Sequence, residues 1–123
     1  MFSTARKSAV ATFFLALVGS PAQAADEAKD LINLCRQFAD LPKVEFSTEL
    51  IRLKSSCGGV LNAHILVSRP DSGYCRPRKI DMDELVKIYL AWADRNPDRW
   101  KDPRAVTVDA AFAEVFPCPK ATP

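Results

Sequence analysis

Tyr74-Cys75-Arg76-Pro77 at one end and Phe116-Pro117-Cys118 at the other enclose two helix patterns between two cysteines. The first pattern opens at Asp81, three residues before Glu84 at capping-box spacing. It continues with Leu85, Ile88, Tyr89, Trp92 and Ala93 at i, i+3, i+4, i+7 and i+8. It is predicted to end near Asn96, because the residue before Pro97 is pushed out of the helical region. The second is predicted to start with Asp102 as N-cap and Pro103 at the first helical position. It turns Val108, Phe112, Val115 and Phe116 inward until Pro117 breaks the pattern. The connection around Asp98 to Lys101 is about five or six residues, a length that favours antiparallel neighbours. Such a hairpin brings Cys75 and Cys118 to the same end, where a disulfide can close it.

Upstream, a stripe of Leu31, Leu34, Cys35 and Phe38 predicts a helix from about Asp26 to Ala39, with Asp26 and Glu27 at the positive end of its dipole and Pro42 marking a stop. A second helix is predicted from Ser47 or Thr48, presenting Leu50, Leu53, Cys57, Val60, Leu61 and His64. Gly58-Gly59 lies in its middle and costs about 1 kcal/mol per glycine relative to alanine. The pair offers close approach to the helix that carries Cys35. Residues Ser68 to Lys79, with Pro70, Gly73 and Pro77, read as a loop. Trp92 belongs to the core stripe, and Trp100 is expected to pack beneath the turn before Asp102.

At the N-terminus, Arg6 and Lys7 precede an apolar run from Ala9 to Val18 and the small-residue exit Ala22-Gln23-Ala24. This reads as a signal peptide, residues 1–24, cut before Ala25, leaving a domain over residues 25–123 in the periplasm. The run is about half the roughly 20 residues needed to span a bilayer, so no membrane span is expected in the mature chain. Removing the leader takes two basic residues from 17 and leaves 15 against 15 acidic ones, a formally neutral protein. That balance argues against nucleic acid as a partner.

In an oxidising compartment the four cysteines, Cys35, Cys57, Cys75 and Cys118, read as two disulfides, although four cysteines allow three pairings. No CxxC pair is present, which disfavours structural zinc. Cys75 with Cys118 follows from the hairpin, and Cys35 with Cys57 then takes the remaining pair. The fold class is all-α, a small four-helix domain of two helical hairpins crosslinked by two disulfides.

These residues resemble the Rap/Tai family, periplasmic immunity proteins against amidase toxins delivered by type VI secretion. The resemblance rests on a cysteine in the first helix, Cys57 followed by small residues, Tyr74-Cys75-Arg76-Pro77, Tyr89-Leu90, Asn96-Pro97 and Phe116-Pro117-Cys118. It departs at Val60 and Ala63, where such proteins often carry a tyrosine and then a glycine. The resemblance implies an all-helical fold, a Cys75 to Cys118 disulfide and a non-enzymatic inhibitor that plugs the cleft of a peptidoglycan amidase, often as a homodimer.

No catalytic residue, metal or cofactor is expected. His64 is the single histidine and has no nucleophile motif such as GxSxG beside it, so it reads as a hydrogen-bonded or partly exposed helix residue. Asp81, Asp83 and Glu84 are explained by their place in a first helical turn. The concentrated positive region is the loop, where Arg69, Arg76, Arg78 and Lys79 with Tyr74 form the candidate partner-binding set, held by the crosslink at Cys75. A rival from another class is an envelope stress protein like the small acid-stress periplasmic chaperones, whose carboxylates lose charge at low pH and expose apolar helix faces.

Overall fold

The structure, a computed structural model, describes residues 27–42 and 47–119; the expected leader, its cut before Ala25, and Asp26 lie outside the described residues. Helix α1 covers Ala28–Asp40. Helices α2 (Thr48–Leu53) and α3 (Val60–Leu66) are joined without a break by a π-helical stretch, Lys54–Gly59. Helices α4 (Met82–Arg95) and α5 (Arg104–Val115) complete the set. The four expected helices are thus α1, the continuous column from α2 to α3, α4 and α5. No strand occurs among the described residues beyond an isolated bridge between Glu27 and Pro103.

Local chemistry sets the helix ends. Pro42 keeps Leu41 extended, at φ −73° and ψ 130°, so α1 stops at Asp40. Ser47 caps α2 by accepting the N–H of Leu50 at 3.0 Å, and Asp81 caps α4 by accepting that of Asp83 at 3.0 Å. The start of α5 differs from expectation: its N-cap is Pro103, and the helix begins at Arg104. Asp102 is engaged elsewhere. Its carboxylate accepts from Arg99 at 3.0 Å, and its carbonyl accepts the N–H of Ala28 at 2.8 Å. The carbonyl of Trp100 takes the N–H of Lys29 at 2.9 Å. The α4–α5 turn therefore satisfies free donors at the start of α1, which has no side-chain cap of its own.

The π stretch has a readable cause. Leu53, Cys57, Leu61 and Ile65 are all buried, and they recur every fourth residue. At 3.6 residues per turn a four-residue step drifts by about 40°, so three steps would carry the stripe off the core. A wider turn at Lys54–Gly59 absorbs the drift and keeps Cys57 turned inward. The stretch that holds Gly58 lies against α1, where Cys57 is bonded to Cys35 with Cα atoms 5.0 Å apart, and Gly58 itself makes room for α4: the side chain of Met82 lies where a Cβ on Gly58 would stand.

Residues of all five helices share one apolar core, with Phe38, Tyr89, Trp92 and Phe112 among its largest members. Both expected disulfides form, Cys35 to Cys57 with Cα atoms 5.0 Å apart and Cys75 to Cys118 with 4.7 Å. Trp100 packs partly against the core and donates its indole N–H to the carbonyl of Ala93 at 2.9 Å. Val115, expected inside, is 46% exposed because it lies in the last turn of α5, past the core positions Ala111 and Phe112. No helix of the described residues is long and apolar enough to cross a membrane.

Candidate functional site

The segment between α3 and α4 carries the candidate residues, and it is tied down at both ends. Ser68 donates its hydroxyl to the carbonyl of Ile65 at 2.7 Å. The N–H of Ser72 closes a turn on the carbonyl of Arg69 at 2.9 Å. Gly73 follows at φ +90°, a backbone conformation that favours glycine. Cys75 is then held twice, by its bond to Cys118 and by its N–H, which donates to the carbonyl of Phe116 at 2.8 Å.

Tyr74 is the residue whose place differs from a surface contact. It is 0% exposed, and its ring meets that of Phe112 edge to face at 5.8 Å, with Phe116 a further 5.8 Å on from Phe112. An aromatic body of that size gains more beneath the loop than on it. Its hydroxyl faces Asp109 and Ser68 but makes no hydrogen bond. Burial, and then the charge of Asp109, push the phenol up to about 12. Asp109 is also 2.7 Å from Nε2 of His64, so α3, α5 and the loop meet at one polar cluster. His64 has left the core position to Ile65 and serves as a hydrogen-bonded helix residue.

Above this base Arg69, Arg76, Arg78 and Lys79 are all exposed. Among the described residues none of the four side chains has a hydrogen-bond or ion-pair partner. The contrast with the helical arginines is plain. Arg36 pairs with Asp94, Arg52 with Glu49, Arg95 with Glu114 and Arg99 with Asp102. Positive charge left without an internal carboxylate, on backbone that is already ordered, can be given to a partner with no further cost of ordering that backbone. Among the described residues no cluster of three metal-ligating side chains occurs.

Two apolar neighbours of the loop escaped the sequence reading. Leu66 is 49% and Val67 76% exposed, immediately before Ser68. The signal was available: the every-fourth-residue stripe closes at Ile65, so the next two residues fall outside it. Elsewhere, an open depression of about 320 Å³ lies between α1 and α2, lined by Gln37, Asp40, Leu41, Glu49 and Leu53. The carboxylate of Glu49 there is held by Arg52 on the same helix, at 2.7 and 3.0 Å, which draws its pKa below the usual carboxylate value.

Comparison with curated proteins and with solved structures gives no match. A family model does match, that of the Rap1a immunity proteins, over residues 27–118. The matched span holds all five helices, both disulfides and the cationic loop clamped between them, and the chain belongs to the Rap1a immunity protein family.

Proposed function

We propose that the protein is a non-enzymatic immunity factor, exported to the periplasm, that binds a peptidoglycan amidase toxin and occludes its active-site cleft. The observation that carries this reading is the loop itself: four cations without partners among the described residues, on a segment fixed by a disulfide, a backbone hydrogen bond and a buried tyrosine. A charged loop with preordered backbone suits inhibition by blockage, since that backbone has little freedom left to lose on binding and arginine forks fit carboxylates and carbonyls. Export is supported by two disulfides, which persist in oxidising compartments. Family membership supports a protein toxin as the partner.

The test is to purify the mature chain, residues 25–123, and titrate it against cell-wall amidases, beginning with any amidase encoded next to its gene. Calorimetry should give a saturable complex, and release of peptide from peptidoglycan by the amidase should stop at stoichiometric inhibitor. A neighbouring amidase that is neither bound nor inhibited would overturn the reading. Sedimentation of the free protein and the complex tests the homodimer in the same preparation.

A further inference from the structure

Single exposed apolar side chains are common on any protein and need no explanation. Leu66 and Val67 are different, because they are consecutive and stand at the root of the unpaired cationic loop. Val67 is the most exposed of the large apolar residues among those described. The loop also folds back towards them. Ser68, next to Val67, and Tyr74, in the middle of the loop, face each other at the buried phenol, so the first half of the loop folds back on its start.

The charge is equally local. From Val67 to Ile80 there are four basic side chains and one acidic one, Asp71, while the formally neutral chain after residue 24 must carry the opposite excess elsewhere. Asp81, which follows, has its carboxylate turned to the N–H of Asp83 as a helix cap. The loop thus carries four exposed cations in a short stretch, bounded at the start of α4 by the exposed Asp81, Asp83 and Glu84.

We infer that Leu66 and Val67 are the apolar anchor of the toxin-binding surface, and that the cations beside them select a partner whose cleft has an apolar floor rimmed by carboxylates. This rests on the immunity reading above and adds the chemistry of the partner's mouth. The two kinds of residue then do separable work. Buried apolar anchors lengthen the life of a complex, whereas rim charges speed its formation and make it salt-dependent. A membrane surface would also attract such a patch. The crosslink and the buried tyrosine favour a protein cleft, because a lipid surface does not reward a fixed loop shape.

The probe is the cell-wall amidase that the wild type binds and inhibits in the test above, with binding followed by surface plasmon resonance at about 50 and about 300 mM NaCl. Leu66→Ser with Val67→Ser should melt with the wild type, weaken binding at least tenfold through faster dissociation, and keep the wild-type salt dependence. Val67→Asp should bind more weakly than Val67→Ser, since it sets a carboxylate against the acidic rim. Arg69→Ala with Lys79→Ala should mainly slow association and flatten its salt dependence. A double serine variant within twofold of the wild type overturns the anchor and leaves the immunity reading standing. Association that does not respond to salt overturns the acidic rim, and so does binding of the wild type to anionic vesicles in preference to the amidase. If the wild type binds no cell-wall amidase in that test, reading and inference fall together.

Discussion

Tyr74 and Phe112 meet edge to face, with ring centroids 5.8 Å apart and planes at 77°, although one belongs to a surface loop and the other to the buried face of α5. The contact makes the loop part of the core while its cations stay in water. Tyr74 also brings in a hydroxyl that is buried without a hydrogen bond. Tyr74→Phe keeps the ring contact and removes an unmet donor, so stability should be unchanged or higher by up to ~1 kcal/mol. Tyr74→Ala should cost about 3 to 5 kcal/mol, as for other large core truncations. Tyr89→Phe is the counter-case. Thr107 spends its proton on the carbonyl of Arg104, so the Tyr89 hydroxyl donates to Thr107 at 2.9 Å. Losing that bond should cost ~1 kcal/mol. Urea unfolding of the three variants checks the order, and a destabilised Tyr74→Phe would show that its hydroxyl is bonded in solution.

The same phenol fixes an alkaline limit. Its folded pKa is pushed up to about 12, against ~10 in the unfolded chain. Between those values the native state holds a proton that the unfolded state has lost. Stability is therefore fully present below pH ~10 and falls as the pH rises towards ~12. Burial raises the Tyr89 phenol as well, so the Tyr74 share is the difference between wild type and Tyr74→Phe. That difference is at most ~2.7 kcal/mol, at 1.36 per pH unit. Urea midpoints at about pH 9 and about pH 11.5 measure it. Equal losses in the two proteins would assign the alkaline titration to other groups.

Gly73 stands alone among the described residues in having a positive φ, +90°, and nothing lies within 4 Å of where its Cβ would be. A substitution there meets backbone strain and no crowding. Gly73→Ala should destabilise by about 1 to 2 kcal/mol, while Gly73→Asn should cost less, because asparagine tolerates the left-handed region better. Thermal melts of the pair decide it. Equal stability of alanine and glycine at this position would show that the loop turns by another backbone path.

The helical frame was legible because its signals are local. Apolar steps of three and four, Ser47 and Asp81 as caps and prolines as stops each report on a few neighbouring residues. What escaped depends on contacts between distant parts of the chain. Asp102 has the right chemistry to cap α5, but Arg99 and the start of α1 claim its oxygens. The fourfold spacing of Leu53, Cys57, Leu61 and Ile65 is present in the sequence, but whether a π-helical turn absorbs its drift is decided by packing against the other helices. Of the candidate site, the four cations were readable as a cluster. The burial of Tyr74 was not, since nothing near it in sequence announces Phe112.

The cations can be separated from the fold. Arg76 and Arg78 make no bond that the native state would miss, so Arg76→Ala with Arg78→Ala should shift stability by less than about 0.5 kcal/mol. Binding to the amidase should weaken at least tenfold, about 1.4 kcal/mol. Calorimetry beside a thermal melt measures both. Wild-type affinity in the double variant would move the contact away from the loop and towards the helix faces.

The two disulfides should also come apart in order. Cys35 and Cys57 are both 0% exposed within the core, whereas Cys75 and Cys118 are only partly buried at the loop. A thiolate must reach a sulfur to attack it, so mild reductant should open Cys75 to Cys118 first. In the chain-entropy model that bond, across a separation of 43 residues, stabilises by about 4 kcal/mol. Its loss should lower the denaturation midpoint without unfolding a protein still joined at Cys35 and Cys57. Binding should fall with it, because Cys75 orders the cations on either side of it. Timed alkylation with mass mapping follows the order, and amidase binding of the singly reduced form follows the consequence. Early alkylation of Cys35 and Cys57 would refute the order. Full affinity after opening of Cys75 to Cys118 would show that Tyr74 and the hydrogen bond to Phe116 hold the loop without the crosslink.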